Sequence, residues 1–113
     1  MLQKIAPILN AYNLSETNLF YKNKLKFLTW HYGNYLVVKK DLVEIHYITW
    51  AGKDKFVPAS CYLYADNIED LYAKFSSMDV ISPKGNFKDN PWGKKEFQIL
   101  DNNGNVLRFG EGG

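Results

Sequence analysis

A chain of 113 residues is sized for one domain with an ordinary core, and 46% hydrophobic with 23% charged residues is a globular rather than a disordered balance. A net charge of +2 from scattered lysines excludes a nucleic-acid footprint, and the single cysteine, Cys61, excludes an intramolecular disulfide or a multi-cysteine zinc site. No apolar run approaches the roughly 18 residues of a membrane span, and the N-terminus shows no small-residue cleavage site, so a cytoplasmic chain with no membrane partner is expected. The aromatic share is high, at 16%, which calls either for a ring-rich core or for rings lining a surface that meets flat ligands.

In chain order, residues 4–11 read as a strand with Ile5, Pro7 and Leu9 on one face, and Pro7, which cannot donate to a ladder, suggests an edge. Asn13 stands three residues ahead of Glu16, the spacing of a helix N-cap with a reciprocal acidic partner, and a helix over about 14–26 follows, carrying Leu19, Phe20 and Leu25. Lys22, Lys24 and Lys26 near its end read as a solvated face. Three strands come next, over 27–32, 35–39 and 42–50, reversing at Gly33-Asn34 and at Lys40-Asp41.

The same order then recurs. A strand over 59–65 leads into Asp66 to Glu69, which repeats the cap spacing; a helix over about 67–77 buries Leu71 and Phe75; and a short strand surrounds Val80 and Ile81. A turn-rich loop over 82–90 precedes a closing hairpin, with Phe97 and Ile99 facing Leu107 and Phe109 across a turn at Asn103-Gly104. The reading is thus an α+β chain of two β-α-β-β-β modules, about 4–50 and 59–110, within one domain spanning 1–113.

Alternation sorts the strand faces. Val43, Ile45 and Tyr47 pack under the helices, leaving Glu44, His46 and Ile48 opposite. Cys61, Leu63 and Ala65 face the second helix, while Ser60, Tyr62 and Tyr64 face away. In the hairpin Glu96, Gln98, Val106 and Arg108 lie across from the core set. The second face is polar and aromatic together, with Arg108 available to pair with Glu44. Glu44 and His46, with His31 the only other imidazole, offer N and O donors to a divalent metal, but an i, i+2 pair about 6.5 Å apart on a strand is common by chance. No Ser-His-Asp set, Cys-His pair or phosphate-binding glycine loop is visible.

The closing run, Pro91-Trp92-Gly93 followed by Glu96-Phe97 and the Asp101 to Asn105 turn, resembles the bleomycin-resistance branch of the glyoxalase/bleomycin-resistance/dioxygenase (vicinal-oxygen-chelate) superfamily. Asn13 to Phe27 looks like that superfamily's first helix, Asp41 to Tyr47 like the strand that follows, and Val57 to Ser60 with Asp66 to Phe75 is similar to the same branch. The resemblance implies paired modules forming a cup-shaped mixed sheet with helices on its outer face, and a homodimer that sequesters its ligand in two interface grooves. It also implies a departure from the enzymes. The positions that resemble their metal ligands hold Ala6, Glu44, Ser60 and Arg108, so neither metal nor cofactor is expected and the chain reads as a binding protein.

On this resemblance Trp92 occupies the place of a ring-stacking tryptophan, with Trp30, Tyr32 and Tyr35 in the opposing wall. Glu44 and Glu96 then meet cationic groups, and Ser60, Tyr62, His46, Gln98 and Arg108 complete the polar contacts. Sequestration of a small aromatic, partly cationic ligand such as a bleomycin-type antibiotic is the expected function. A metal-dependent lyase, isomerase or dioxygenase using Glu44 and His46, or an immunity or regulatory protein with a macromolecular partner, are the alternatives. A net positive charge sits poorly with a cationic ligand, since opposite potentials favour capture.

Overall fold

The computed structural model describes residues 1–52, 54–82, 88–89 and 94–112. The chain divides into two compact units, Met1–Ala59 and Ser60–Gly113. Each is an α+β layer with the β-α-β-β-β order expected, and each module contributes its own four-stranded mixed sheet.

In unit 1, β1 (Ile8–Ala11) is followed by α1 (Leu14–Leu19), a π-helical turn over Phe20–Lys24, then β2 (Leu28–Tyr32), β3 (Tyr35–Lys40) and β4 (Val43–Thr49). The strand order is β1-β4-β3-β2, with β1 parallel to β4 and the other neighbours antiparallel. β1 is shorter than its apolar pattern suggested. Pro7 cannot donate a ladder hydrogen bond, and although its carbonyl accepts from the His46 amide at 2.9 Å, regular pairing starts only at Ile8.

The first cap forms as the spacing implies. Asn13 is extended, its side chain accepts from the Glu16 amide at 3.0 Å, and the Thr17 hydroxyl donates back to the Asn13 carbonyl at 3.2 Å. The expected uniform helix does not follow. Widening to a π turn adds a residue to the repeat, so Leu14, Thr17, Tyr21 and Leu25 are buried while Leu19 is exposed. Tyr21 and Tyr47, both wholly buried, join hydroxyl to hydroxyl at 2.6 Å beneath the helix. Leu9, Ala11, Leu36, Val38 and Ile45 complete this core, whereas Val43 is only half-buried.

Unit 2 repeats the plan with β5 (Ser60–Ala65), α2 (Ile68–Ser76), β6 (Lys88–Asp89), β7 (Lys95–Leu100) and β8 (Val106–Glu111), in the order β5-β8-β7-β6. β5 runs parallel to β8, as β1 does to β4. The second cap does not repeat the first: the N-cap residue is Asn67, in the left-handed region at φ 48°, with no side-chain bond to the helix. Glu69 and Asp70 still place negative charge in the first turn. Phe75 is buried with Ile68, but Leu71 is half-buried.

The strand expected around Val80 and Ile81 is a single bridge from Ile81 to Ile99. Part of the expected 82–90 loop is β6, paired to β7, and its remainder beyond Ser82 lies outside the described residues. The hairpin faces are those expected, with Phe97, Ile99, Leu107 and Phe109 buried and Phe97 stacked on Phe109 at 5.0 Å. Its turn is built on Asp101, whose Oδ1 accepts from the Asn103 amide at 2.8 Å and the Asn105 amide at 2.9 Å. Asn105 Nδ2 donates to Asp101 Oδ2 at 2.9 Å, and Gly104 supplies φ 88°.

Candidate functional site: the sheet faces opposite the helices

In unit 1 the face opposite α1 gathers residues from all four strands. Register places Trp30 opposite Val37, Tyr32 opposite Tyr35, Tyr35 opposite Ile48, Lys39 opposite Glu44 and Ile8 opposite His46, so Trp30, Tyr32, Tyr35, Glu44 and His46 share it. Tyr32 is exposed at 65% and Trp30 at 40% of their surfaces, with Ile8 and Ile48 also uncovered. Apolar side chains left on a sheet face have no cohesive reason to stay in water, so such a patch marks a contact surface.

A hydrogen-bonded chain crosses this face. The Tyr35 hydroxyl lies 2.5 Å from His46 Nδ1, His46 Nε2 lies 2.6 Å from Glu44 Oε2, and Lys4 Nζ donates to Glu44 Oε1 at 2.7 Å. With the neutral imidazole protonated on Nε2, His46 donates to the carboxylate and accepts from the phenol, which orients all three side chains. The Lys4 ammonium, and next to it His46, hold the Glu44 carboxyl down at about 2, far below its ordinary 4.5. Glu44 is therefore ionised and already engaged at both oxygens by groups of its own unit.

In unit 2 the corresponding face carries Ser60, Tyr62, Glu96, Gln98 and Arg108. Tyr62 opposes Arg108 across β5–β8, and Gln98 opposes Arg108 across β7–β8. With the Gln98 amide oriented to satisfy both groups, its oxygen accepts from Arg108 Nη2 at 2.7 Å and Nε at 3.0 Å. Tyr62 donates to Glu96 Oε2 at 2.5 Å, which together with partial burial pushes its phenol up to about 12. Glu96 is 6% exposed and Ser60 makes an exposed strand end, so the unit's polar groups are largely tied to one another. Trp92 lies outside the described residues.

Matching the units by strand order and by their buried pairs, Leu36 with Tyr47 and Phe97 with Phe109, makes His46 the counterpart of Arg108 and Tyr35 that of Glu96. Both modules thus place a hydrogen-bonded polar pair on the same two strands of the face. Sequence reasoning missed Lys4 and Gly110, which complete these arrangements. Lys4 precedes β1, where alternation says nothing, and Gly110 matters only because Tyr62 passes over it.

The side chains at the positions that the resemblance aligns with metal ligands can be taken one by one. Ala6 has no donor, Arg108 presents a cation, and Glu44 and His46 have their ligating atoms engaged by Lys4, Tyr35 and each other. Among the described residues there is no cluster of three or more His, Cys, Asp or Glu with metal-binding geometry. Nor, among them, is any helix long and apolar enough to cross a membrane. Burial pushes the Cys61 thiol up to about 11, away from nucleophile chemistry.

No protein-family model matches the chain. It is similar to the bleomycin resistance protein of Geobacillus stearothermophilus, at 27% identity over a 129-residue alignment covering 96% of each chain. A bleomycin resistance determinant encoded on the transposon Tn5 superposes with a TM-score of 0.82 at 18% identity, covering 97% of this chain and 98% of that one. A bleomycin-binding protein complexed with bleomycin gives 0.81 at 16% identity, over 99% and 100%. A lactoylglutathione lyase from Agrobacterium tumefaciens gives 0.75 at 16% identity, over 99% and 96%. The fold is thus shared with bleomycin-resistance proteins and with a lactoylglutathione lyase, and the likeness in sequence runs to the bleomycin-resistance proteins.

Proposed function

We propose that the chain binds and sequesters a small aromatic ligand without chemical turnover, in grooves at a homodimer interface and with no metal, and that bleomycin-type antibiotics are the leading candidates. The observation that carries this reading is the similarity to bleomycin resistance proteins along 96% of both chains, together with exposed Trp30 and Tyr32 on a sheet face where water alone requires no rings. In this reading Trp92 stacks on the ligand, and Trp30, Tyr32 and Tyr35 form the facing wall. An offset ring stack contributes on the order of 1 kcal/mol beyond the area it buries.

The polar residues act as a prearranged rim. Gln98, Arg108, Ser60 and Tyr62 orient polar groups, while Glu44, His46 and Glu96 hold cationic ones only by exchanging a bond they already make. That exchange favours ligands with several weak polar contacts over one with a single strong ion pair. A metal-dependent reaction at Glu44 and His46 would have to displace both Lys4 and Tyr35, which disfavours the enzyme alternative.

The test is a tryptophan-fluorescence titration with metal-free bleomycin beside sedimentation of the same sample. Saturable quenching at one ligand per chain, absent in Trp92→Ala while the dimer persists, supports the reading. A folded dimer that gives no response removes the drug, and Trp92→Ala binding with unchanged affinity removes the stacking role.

A further inference from the structure

Three lysines and an exposed indole share one recess of unit 1. It has a volume of about 490 Å³ and is lined by Lys26, Leu28, Trp30, Lys39, Lys40 and Asp41. That volume falls within the roughly 300–1,000 Å³ of small-molecule sites. Its apolar part is uncovered: Leu28 is 65% and Trp30 40% exposed. Lys39 stands opposite Leu28 across β2–β3 and opposite Glu44 across β3–β4.

Charge decides what this recess can hold. Glu44 is the nearest register partner for Lys39, but its two oxygens are engaged by Lys4 and His46. Among the described residues none of Lys26, Lys39 and Lys40 forms an ion pair with a carboxylate, and Lys40 lies 6.0 Å from the centre of the Phe27 ring. Asp41 is the one acidic residue of the lining. The imbalance extends to the whole unit: residues 1–59 hold eight lysines against four acidic residues, whereas residues 60–113 hold six basic against eight acidic ones. A cation approaching Trp30 meets like charge, and an anion meets opposite charge.

We propose that this recess binds a flat aromatic ligand bearing an anionic group, such as an aryl sulfonate, carboxylate or phosphate ester, with its ring on Trp30 and Leu28 and its anion on Lys26 and Lys39. The ligand class is opposite in charge to the drug considered above. The recess lies within unit 1 and needs neither Trp92 nor a dimer, but it shares Trp30 with the wall proposed for the drug, so the two ligands would compete for that ring.

The experiment compares two probes with the same ring, 2-naphthalenesulfonate and 2-naphthylmethylammonium, by fluorescence and by chemical shifts of the Trp30 indole. The sulfonate is expected to saturate, to bind on the order of tenfold more tightly than the ammonium, and to weaken as salt rises. Lys26→Glu with Lys39→Glu should invert that preference, and Trp30→Leu should weaken the sulfonate, read by the probe's own naphthalene fluorescence. Lys26 is exposed and Lys39 half-buried, and circular dichroism verifies that the variants are folded. The proposal is overturned if the sulfonate fails to saturate at its solubility limit, if both probes bind alike, or if the charge reversal leaves the preference unchanged. Bleomycin titrated into the wild type and the lysine variants, in which Trp30 is intact, reports on the sequestration reading separately.

Discussion

Tyr62 reaches Glu96 by crossing β8 directly over Gly110. Its hydroxyl donates to Glu96 Oε2 at 2.5 Å, and a Cβ on Gly110 would stand 1.8 Å from that hydroxyl oxygen. The glycine is needed for this close approach. A methyl group there forces the phenol aside and takes the Tyr62 bond from a carboxylate that is 6% exposed.

Gly110→Ala should therefore cost about 1–3 kcal/mol, the range for losing a hydrogen bond to a largely buried charged group. Urea unfolding measures it. Tyrosinate absorbance gives a second readout: the Tyr62 titration, held near 12, should fall back toward 10 in Gly110→Ala and in Glu96→Gln. A Tyr62 midpoint unmoved by either variant would mean that the phenol is raised by burial alone.

The Lys4–Glu44–His46 chain predicts an acid limb of stability. Because the folded Glu44 carboxyl lies at about 2, below its ordinary 4.5, its contribution is complete above pH 4.5 and is lost as pH falls through 2. Thermal melts between pH 2 and 7 should show a shallower acid loss in Glu44→Gln than in the wild type. Lys4→Met should raise the Glu44 midpoint, read by carboxyl NMR, since the Lys4 ammonium is its largest cause.

Asp101 organises the hairpin turn by accepting from the backbone amides and the side-chain amides of both Asn103 and Asn105 while only 5% exposed. Asp101→Ala should destabilise the fold by about 2–4 kcal/mol, because charge-assisted bonds are the strong ones and the amides they satisfy are buried. Asp101→Asn should recover part of the loss. Equal losses in the two variants would show that the carboxylate's charge, rather than its acceptor geometry, organises the turn.

Cys61 should be slow to react with a disulfide probe at pH 8, since its thiol titrates at about 11 and the thiolate is a minor species there. The rate should rise in urea as the chain unfolds. A fast reaction in the native protein would contradict the shielded position on β5.

Much of this molecule follows from local pattern. Period-two alternation is enough to assign Ile45, Tyr47, Leu63, Phe97, Ile99, Leu107 and Phe109 to the helix-packed faces, and Asn13 with Glu16 is enough to start α1, because cap and strand chemistry act over a few residues. The same alternation put Glu44 and His46 on the face away from the helices, and strand register brings Trp30 and Tyr32, named only through the family resemblance, onto that face with them. The π turn that exposes Leu19, the missing second cap at Asn67 and the truncated β1 were not legible, since each depends on how a segment seats against its sheet.

What only tertiary structure decided is which charges remain available. Lys4 and Glu44 are 40 residues apart, and it is their pairing, with His46 on the other oxygen, that removes Glu44 as Lys39's partner. Sequence composition determined a net charge and an aromatic excess. Folding distributes that charge, because ion pairs form between residues brought together by strand register rather than by spacing along the chain, and the aromatic recess acquires its positive sign that way.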